Sequence, residues 1–89
     1  MRTQHFVIQN KLGLHARPCA QLAKTASFFK SSVTLTQKDR TVDAKSILGL
    51  MSMAMPFGSD FTITVEGVDE ERAMSEIAKL IETRFGEEN

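Results

Sequence analysis

Phe6 and Ile8 alternate with His5, Val7 and Gln9, the period-two pattern of a strand with one buried face. The pattern breaks at residues 10–15, which carry loop chemistry around Gly13. Cys19, Leu22, Ala23, Ala26 and Phe29 then recur at helical spacing, so a helix is predicted over residues 16–28 with His15 at or beside its N-cap. Pro18 falls in the first turn, where a missing amide hydrogen costs nothing. Val33 and Leu35 alternate with Thr34 and Thr36, polar residues 37–39 turn the chain, and residues 40–43 return as a short third strand. Ser46 stands before Ile47, Leu48, Leu50 and Met51, which predicts one or two helical turns capped by a serine and ended at residues 56–58. Phe61, Ile63 and Val65 alternate with Thr62, Thr64 and Glu66, the clearest strand pattern of the chain. Asp69 is placed to cap a last helix. Glu70 and Glu71 complement its dipole, Ala73, Met74, Ile77, Leu80, Ile81 and Phe85 form its apolar face, and Gly86 is its expected terminator.

The resulting order, βαββαβα, predicts an α+β fold: a four-stranded antiparallel sheet covered by helices on one face, with Thr34, Thr36, Thr62 and Thr64 on the other. With 89 residues the chain suits one domain, residues 1–89, whose small core leaves function to the surface. A composition 42% hydrophobic and 25% charged disfavours disorder. Eleven basic and eleven acidic residues cancel, so there is no overall field to hold a nucleic acid. The charge is nevertheless segregated. Residues 1–45 hold eight bases and two acids, and residues 46–89 hold three bases and nine acids, so a surface built from the first half would attract acidic partners or small anions. A single cysteine, Cys19, cannot form an internal disulfide, and no leader opens the chain, which together predict a cytoplasmic protein. No apolar run approaches the roughly 18 residues needed to cross a bilayer, so no membrane insertion is expected.

The candidate chemistry lies at residues 13–18. A helix N-terminus offers unpaired backbone N–H groups and about half a positive charge, which together favour an anion. His15 sits at that end with Arg17 two residues on, and both the helix end and the guanidinium disfavour a further proton on the ring. Neutral imidazole is a nucleophile, and a phosphoryl group taken up by it would lie near the amides of Ala16 and Arg17 and the Arg17 side chain, with Pro18 stiffening the turn. There is no Ser/His/Asp arrangement, no phosphate-cradling glycine loop and no acidic pair beside His15, so a stand-alone catalyst is not expected. His15 and Cys19 share a helix face but lack further ligands, so neither a metal nor a cofactor is expected. From spacing alone, His15 as a plain loop or capping residue stays an open alternative.

Gly13, Leu14, His15, Ala16, Arg17 and Pro18, followed about thirty residues later by Ala44, Lys45, Ser46, Ile47, Leu48, Gly49, Leu50 and Met51, resemble the two motifs of the histidine-containing phosphocarrier (HPr) family of the bacterial phosphoenolpyruvate:sugar phosphotransferase system. The resemblance covers essentially the whole chain and implies an open-faced β-sandwich with three helices on one face. It implies that His15 accepts a phosphoryl group on Nδ1 from phosphorylated enzyme I and passes it to the IIA domain of a sugar permease, with Arg17 steadying the phosphate. It implies that Ser46 is a target of HPr kinase/phosphorylase, where that kinase exists, and that Ile47, Leu48 and Met51, with Lys24 and Lys45, dock partners. Cys19 departs from the alanine commonest after the proline, and packing is its expected role. The alternative is a regulatory binding module, nitrogen-related or dependent on the Ser46 phosphorylation state, with little part in sugar transport.

Overall fold

A computed structural model describes residues 1–87 and shows the predicted order: β1 (Arg2–Val7), α1 (Ala16–Ser27), β2 (Ser32–Gln37), β3 (Arg40–Asp43), α2 (Ile47–Met51), β4 (Asp60–Glu66) and α3 (Glu70–Glu82). The four strands lie in the order β1-β4-β2-β3, and each neighbouring pair is antiparallel. β4, formed late in the chain, inserts between β1 and β2, so the sheet is complete only when residues 60–66 arrive. That placement leaves the connection through α1 to cross over β4, because β1 and β2 both run antiparallel to it.

Alternation does the sorting. Phe6, Val33, Leu35, Phe61, Ile63 and Val65 are buried, and they face one another across the registers Phe6↔Phe61, Leu35↔Ile63 and Val33↔Val65. The stripe of α1 (Cys19, Leu22, Ala23, Ala26) and that of α3 (Ala73, Met74, Ile77, Ile81) complete the same core. Thr34, Thr36, Thr62 and Thr64 take the alternate positions and are half-buried. Hydroxyls pair across strands there, Thr36 with Thr41 at 2.9 Å.

Two expectations for α3 are corrected. Asp69 makes no side-chain cap to the helix; its carboxylate instead accepts from the Lys30 amide at 2.9 Å, the Ser31 amide at 3.0 Å and the Ser31 hydroxyl. The acid thus ties the end of the α1–β2 connection to the start of α3, against which Gly67 packs so closely that a Cβ would lie 2.5 Å from Ser31 Oγ. α3 also stops at Glu82, so Phe85 does not extend its apolar face by periodicity. Arg84, Phe85 and Gly86 all have positive φ, and this left-handed turn carries the Phe85 ring into the core. Two non-glycine residues in this left-handed region cost roughly 1–3 kcal/mol each, against about 1.5–3 kcal/mol from burying the phenylalanine, so the rest of the core shares in holding the turn.

The hydrogen bonds from Ser31 and Lys30 outweigh the desolvation of Asp69 and hold its carboxyl at about 2, below its ordinary 3.8. A depressed carboxylate stabilises the fold at pH values above 3.8, and that contribution disappears as pH falls through about 2. Asp69→Asn is therefore expected to lower stability at pH 7, with the gap to wild type closing towards pH 2, as read by urea denaturation across that range.

Candidate functional site

His15 is the N-cap of α1, as the sequence predicts, and its side chain makes no capping hydrogen bond to the helix. Its backbone carbonyl accepts from the Cys19 amide at 3.0 Å and so starts the helical ladder. By geometry the Ala16 and Arg17 amides have no carbonyl four residues back within the helix, and Pro18 has no N–H, so two donors open the helix beside the imidazole. The His15 side chain is 35% exposed and reachable from solvent. Ala16 and Arg17 are exposed, whereas Pro18 and Cys19 are buried and anchor this turn.

The loop that delivers His15 is held from below. Ile8 donates to Ser59 and Gly58 donates to Ile8, and further along the Leu14 amide donates to the Met55 carbonyl at 2.8 Å. Gly13, with φ +73°, lies so close to that carbonyl that a Cβ would sit 2.5 Å from it. Leu14 is buried next to it. The histidine therefore stands on a turn clamped between β1 and the segment following α2.

A carboxylate that local sequence reasoning missed completes the site. After the left-handed turn at Phe85 and Gly86, Glu87 returns to the start of α1, and its Oε2 lies 2.7 Å from His15 Nε2. A carboxylate only accepts, so the ring hydrogen sits on Nε2 and, in the neutral imidazole, the lone pair is on Nδ1. Desolvation raises the Glu87 carboxyl, but hydrogen bonds from His15 and Asn10, with the charges of His15 and Arg17, prevail and lower it. The only sequence signal for this contact would have been Gly86 followed by an acid, which points nowhere without the fold.

The second predicted motif is also in place. Ser46 caps α2, its Oγ accepting from the Gly49 amide at 3.0 Å. Leu50, Met53 and Met55 are buried, whereas Ile47, Leu48 and Met51 are exposed. Leu12 and Phe57, which were not singled out from the sequence, are exposed as well and flank the clamped loop. The chain runs back along α1: Lys45 Nζ reaches the Phe29 carbonyl beyond the far end of that helix, at 3.0 Å, while Met55 meets Leu14 at the near end. Since twelve helical residues span about 18 Å, Lys45 is set well away from His15, and its amine is engaged with the chain just past α1. Lys24 lines a groove with Phe28, Phe29 and, on α3, Arg72 and Glu76. Among the described residues no group of three His, Cys, Asp or Glu side chains is arranged to hold a metal ion, and no helix is long and apolar enough to cross a membrane.

A family model described as "PTS HPr component phosphorylation site" matches residues 2–83. The phosphocarrier protein HPr of Cupriavidus necator is 49% identical over 87 residues, 98% of each chain, and that of Xylella fastidiosa is 43% identical over 88 residues, 99% of each. The crystal structure of HPr-C-His from Thermoanaerobacter tengcongensis superposes with a TM-score of 0.96 at 43% identity and complete coverage of both chains.

Two outcomes follow from the clamp. Gly13→Ala combines a positive φ with backbone contacts under 3.0 Å, and is expected to destabilise the protein by at least about 1–3 kcal/mol, measured by chemical denaturation. Burial pushes the Cys19 thiol up to about 11, and its Sγ–H faces the Leu14 carbonyl. Iodoacetamide should accordingly leave Cys19 unmodified in the native protein and label it in denaturant, as read by mass spectrometry.

Proposed function

Since this chain belongs to the HPr family of the phosphotransferase system and is a phosphoryl carrier, we propose that the phosphate is carried on Nδ1 of His15. The observation that carries this reading is the contact between His15 Nε2 and Glu87, 2.7 Å long, made by the residue that caps the N-terminus of α1. One ring nitrogen is occupied by its own hydrogen and a carboxylate, so the nucleophile is the other.

Transfer then follows from the geometry. The Nδ1 lone pair attacks phosphorus, a bond forms there as the bond to the donor breaks, and the electron pair of that bond stays with the donor. The ring gains positive charge while Nε2 keeps its hydrogen, and the Glu87 carboxylate faces that charge. The transferred oxygens accept from the Ala16 and Arg17 amides and the Arg17 guanidinium. Because these groups are exposed, their hold on the phosphate is modest, which suits a group that must be passed on. The site has nothing to activate a second reactant, so partners supply the rest of each transfer.

Enzyme I is the donor in this reading and the IIA domains of sugar permeases are the acceptors, with the exchange taking place in the cytoplasm and residues 1–89 acting as one HPr domain. Ile47, Leu48 and Met51, with Leu12 and Phe57, are the exposed apolar side chains on which both partners dock in turn. Ser46 is a target of HPr kinase/phosphorylase where such a kinase exists. Its phosphate would place nearly two negative charges beside Ile47 and Leu48, weakening docking more than folding. The regulatory-module alternative is not favoured, because the phosphocarriers resemble this chain over almost its entire length.

Incubation with phosphoenolpyruvate and enzyme I should place an acid-labile phosphate on this protein, and His15→Ala should abolish it. Label that persists in His15→Ala refutes the assignment.

A further inference from the structure

Asn10 is fully buried in the turn that leads to His15, one of two polar residues so deeply buried among those described. Both hydrogens of its side-chain amide are used: Nδ2 donates to the Gly13 carbonyl at 2.6 Å and to Glu87 Oε1 at 2.9 Å. Its backbone carbonyl accepts from the Gly13 amide at 3.0 Å, so the turn is closed twice by one residue. The orientation of the amide is dictated by its neighbours, because both are acceptors and only nitrogen can face them. Its Oδ1 is buried with no hydrogen-bond partner among the described residues. A leucine branches at the same atom and carries neither an unpaired carbonyl nor a donor, so what asparagine adds is a pair of directed hydrogens.

Those hydrogens join two parts of the chain that meet at the histidine. Glu87 divides its oxygens, Oε1 to Asn10 and Oε2 to His15, and is the link between them. The backbone before Glu87 is set by Phe85, buried at φ 55°, but the carboxyl group itself can rotate about its side-chain bonds. Asn10 is the group that stops this rotation from the side opposite the imidazole.

We propose that Asn10 is a positioning residue for phosphoryl transfer: by holding Glu87 it keeps the hydrogen of His15 on Nε2 and the lone pair on Nδ1. This rests on the reading of His15 as the phosphate acceptor. During transfer the Nδ1–P bond forms, the bond from phosphorus to the donor breaks with its pair left on the donor, and Nε2 retains its hydrogen, so neither Asn10 nor Glu87 exchanges a proton. The role of Asn10 is to select one tautomer before the donor arrives and to keep the carboxylate opposite the charge that the ring acquires.

The test uses the full chain labelled with 15N, at a pH where imidazole is neutral, and reads the His15 ring nitrogens by long-range 1H–15N correlation. In wild type, Nε2 should give the signal of a protonated nitrogen and Nδ1 that of a bare one. In Asn10→Leu the two signals should move towards each other as tautomers mix, and transfer from enzyme I should slow on the order of tenfold. Glu87→Ala should produce the same mixing, and adding Asn10→Leu to it should change nothing more. Ring nitrogens unmoved in folded Asn10→Leu, or moved equally in the Glu87→Ala background, overturn the proposal. Should Asn10→Leu fail to fold, the Asn10 amide hydrogens decide: their exchange with solvent is slow in wild type and accelerates in Glu87→Ala, and unchanged exchange is equally fatal. A wild-type chain that takes no phosphate on His15 overturns the carrier reading instead, and the two failures are separable because the tautomer measurement requires no phosphate.

Discussion

The clamp between residues 8–14 and residues 55–59 is what the functional end of this molecule depends on. Three backbone hydrogen bonds cross it, Ile8 with Ser59, Gly58 with Ile8 and Leu14 with Met55, and Gly13 packs on the last of these so closely that no side chain fits. A histidine on a free loop would sample many positions, and ordering it for each encounter would cost backbone entropy of about 1–2 kcal/mol per residue. Here that ordering is done during folding. The exposed Leu12 and Phe57 lie within the two clamped segments, so the apolar surface proposed for docking is tied to the same turn that carries the histidine.

The chemistry is arranged by opposing demands on charge. Helix α1 opens with unpaired donors and an arginine, which in the proposed transfer would favour the phosphate. Glu87 contacts Nε2 of the ring, where it favours a hydrogen on that nitrogen and would answer the positive charge of the proposed attack. Neither neighbour alone suffices. Cationic groups by themselves leave the tautomer open, and a carboxylate by itself gives the phosphate nothing to rest against. In the proposed transfer both act on one imidazole, the carboxylate through its contact with Nε2 and the helix end through the phosphate it would receive.

Most of the apolar core lies away from His15. The sheet residues from Phe6 to Val65 and the stripes of α1 and α3 form one apolar core, and the Asp69 cluster ties α3 to the β2 end of the fold. α2 is different in kind. It is five residues long, buries only Leu50, and shows Ile47, Leu48 and Met51 to solvent. Such a helix contributes little to the core, and its exposed side chains are available for association.

The order of elements was legible because alternation and helical spacing are properties of neighbouring residues. Phe61, Ile63 and Val65 announce β4, and Leu22, Ala23 and Ala26 announce α1, before any contact is known. The N-cap positions of His15 and Ser46 are local in the same sense, and so was the motif that holds the candidate histidine. Contacts distant along the chain were not legible. Asp69 turns from its own helix to Ser31, 38 residues away, Lys45 reaches Phe29, and Glu87 meets His15 across 72 residues. Phe85 looked like the next residue of a helical stripe, yet it enters the core through a left-handed turn that no periodicity encodes. The chain by itself determined which residues form strands, helices and caps, since these depend on spacing and backbone preference over a few positions. The tertiary structure decided which charges meet and which nitrogen of His15 faces a carboxylate, since those depend on distances that exist only once β4 has closed the sheet and the segment after α3 has folded back.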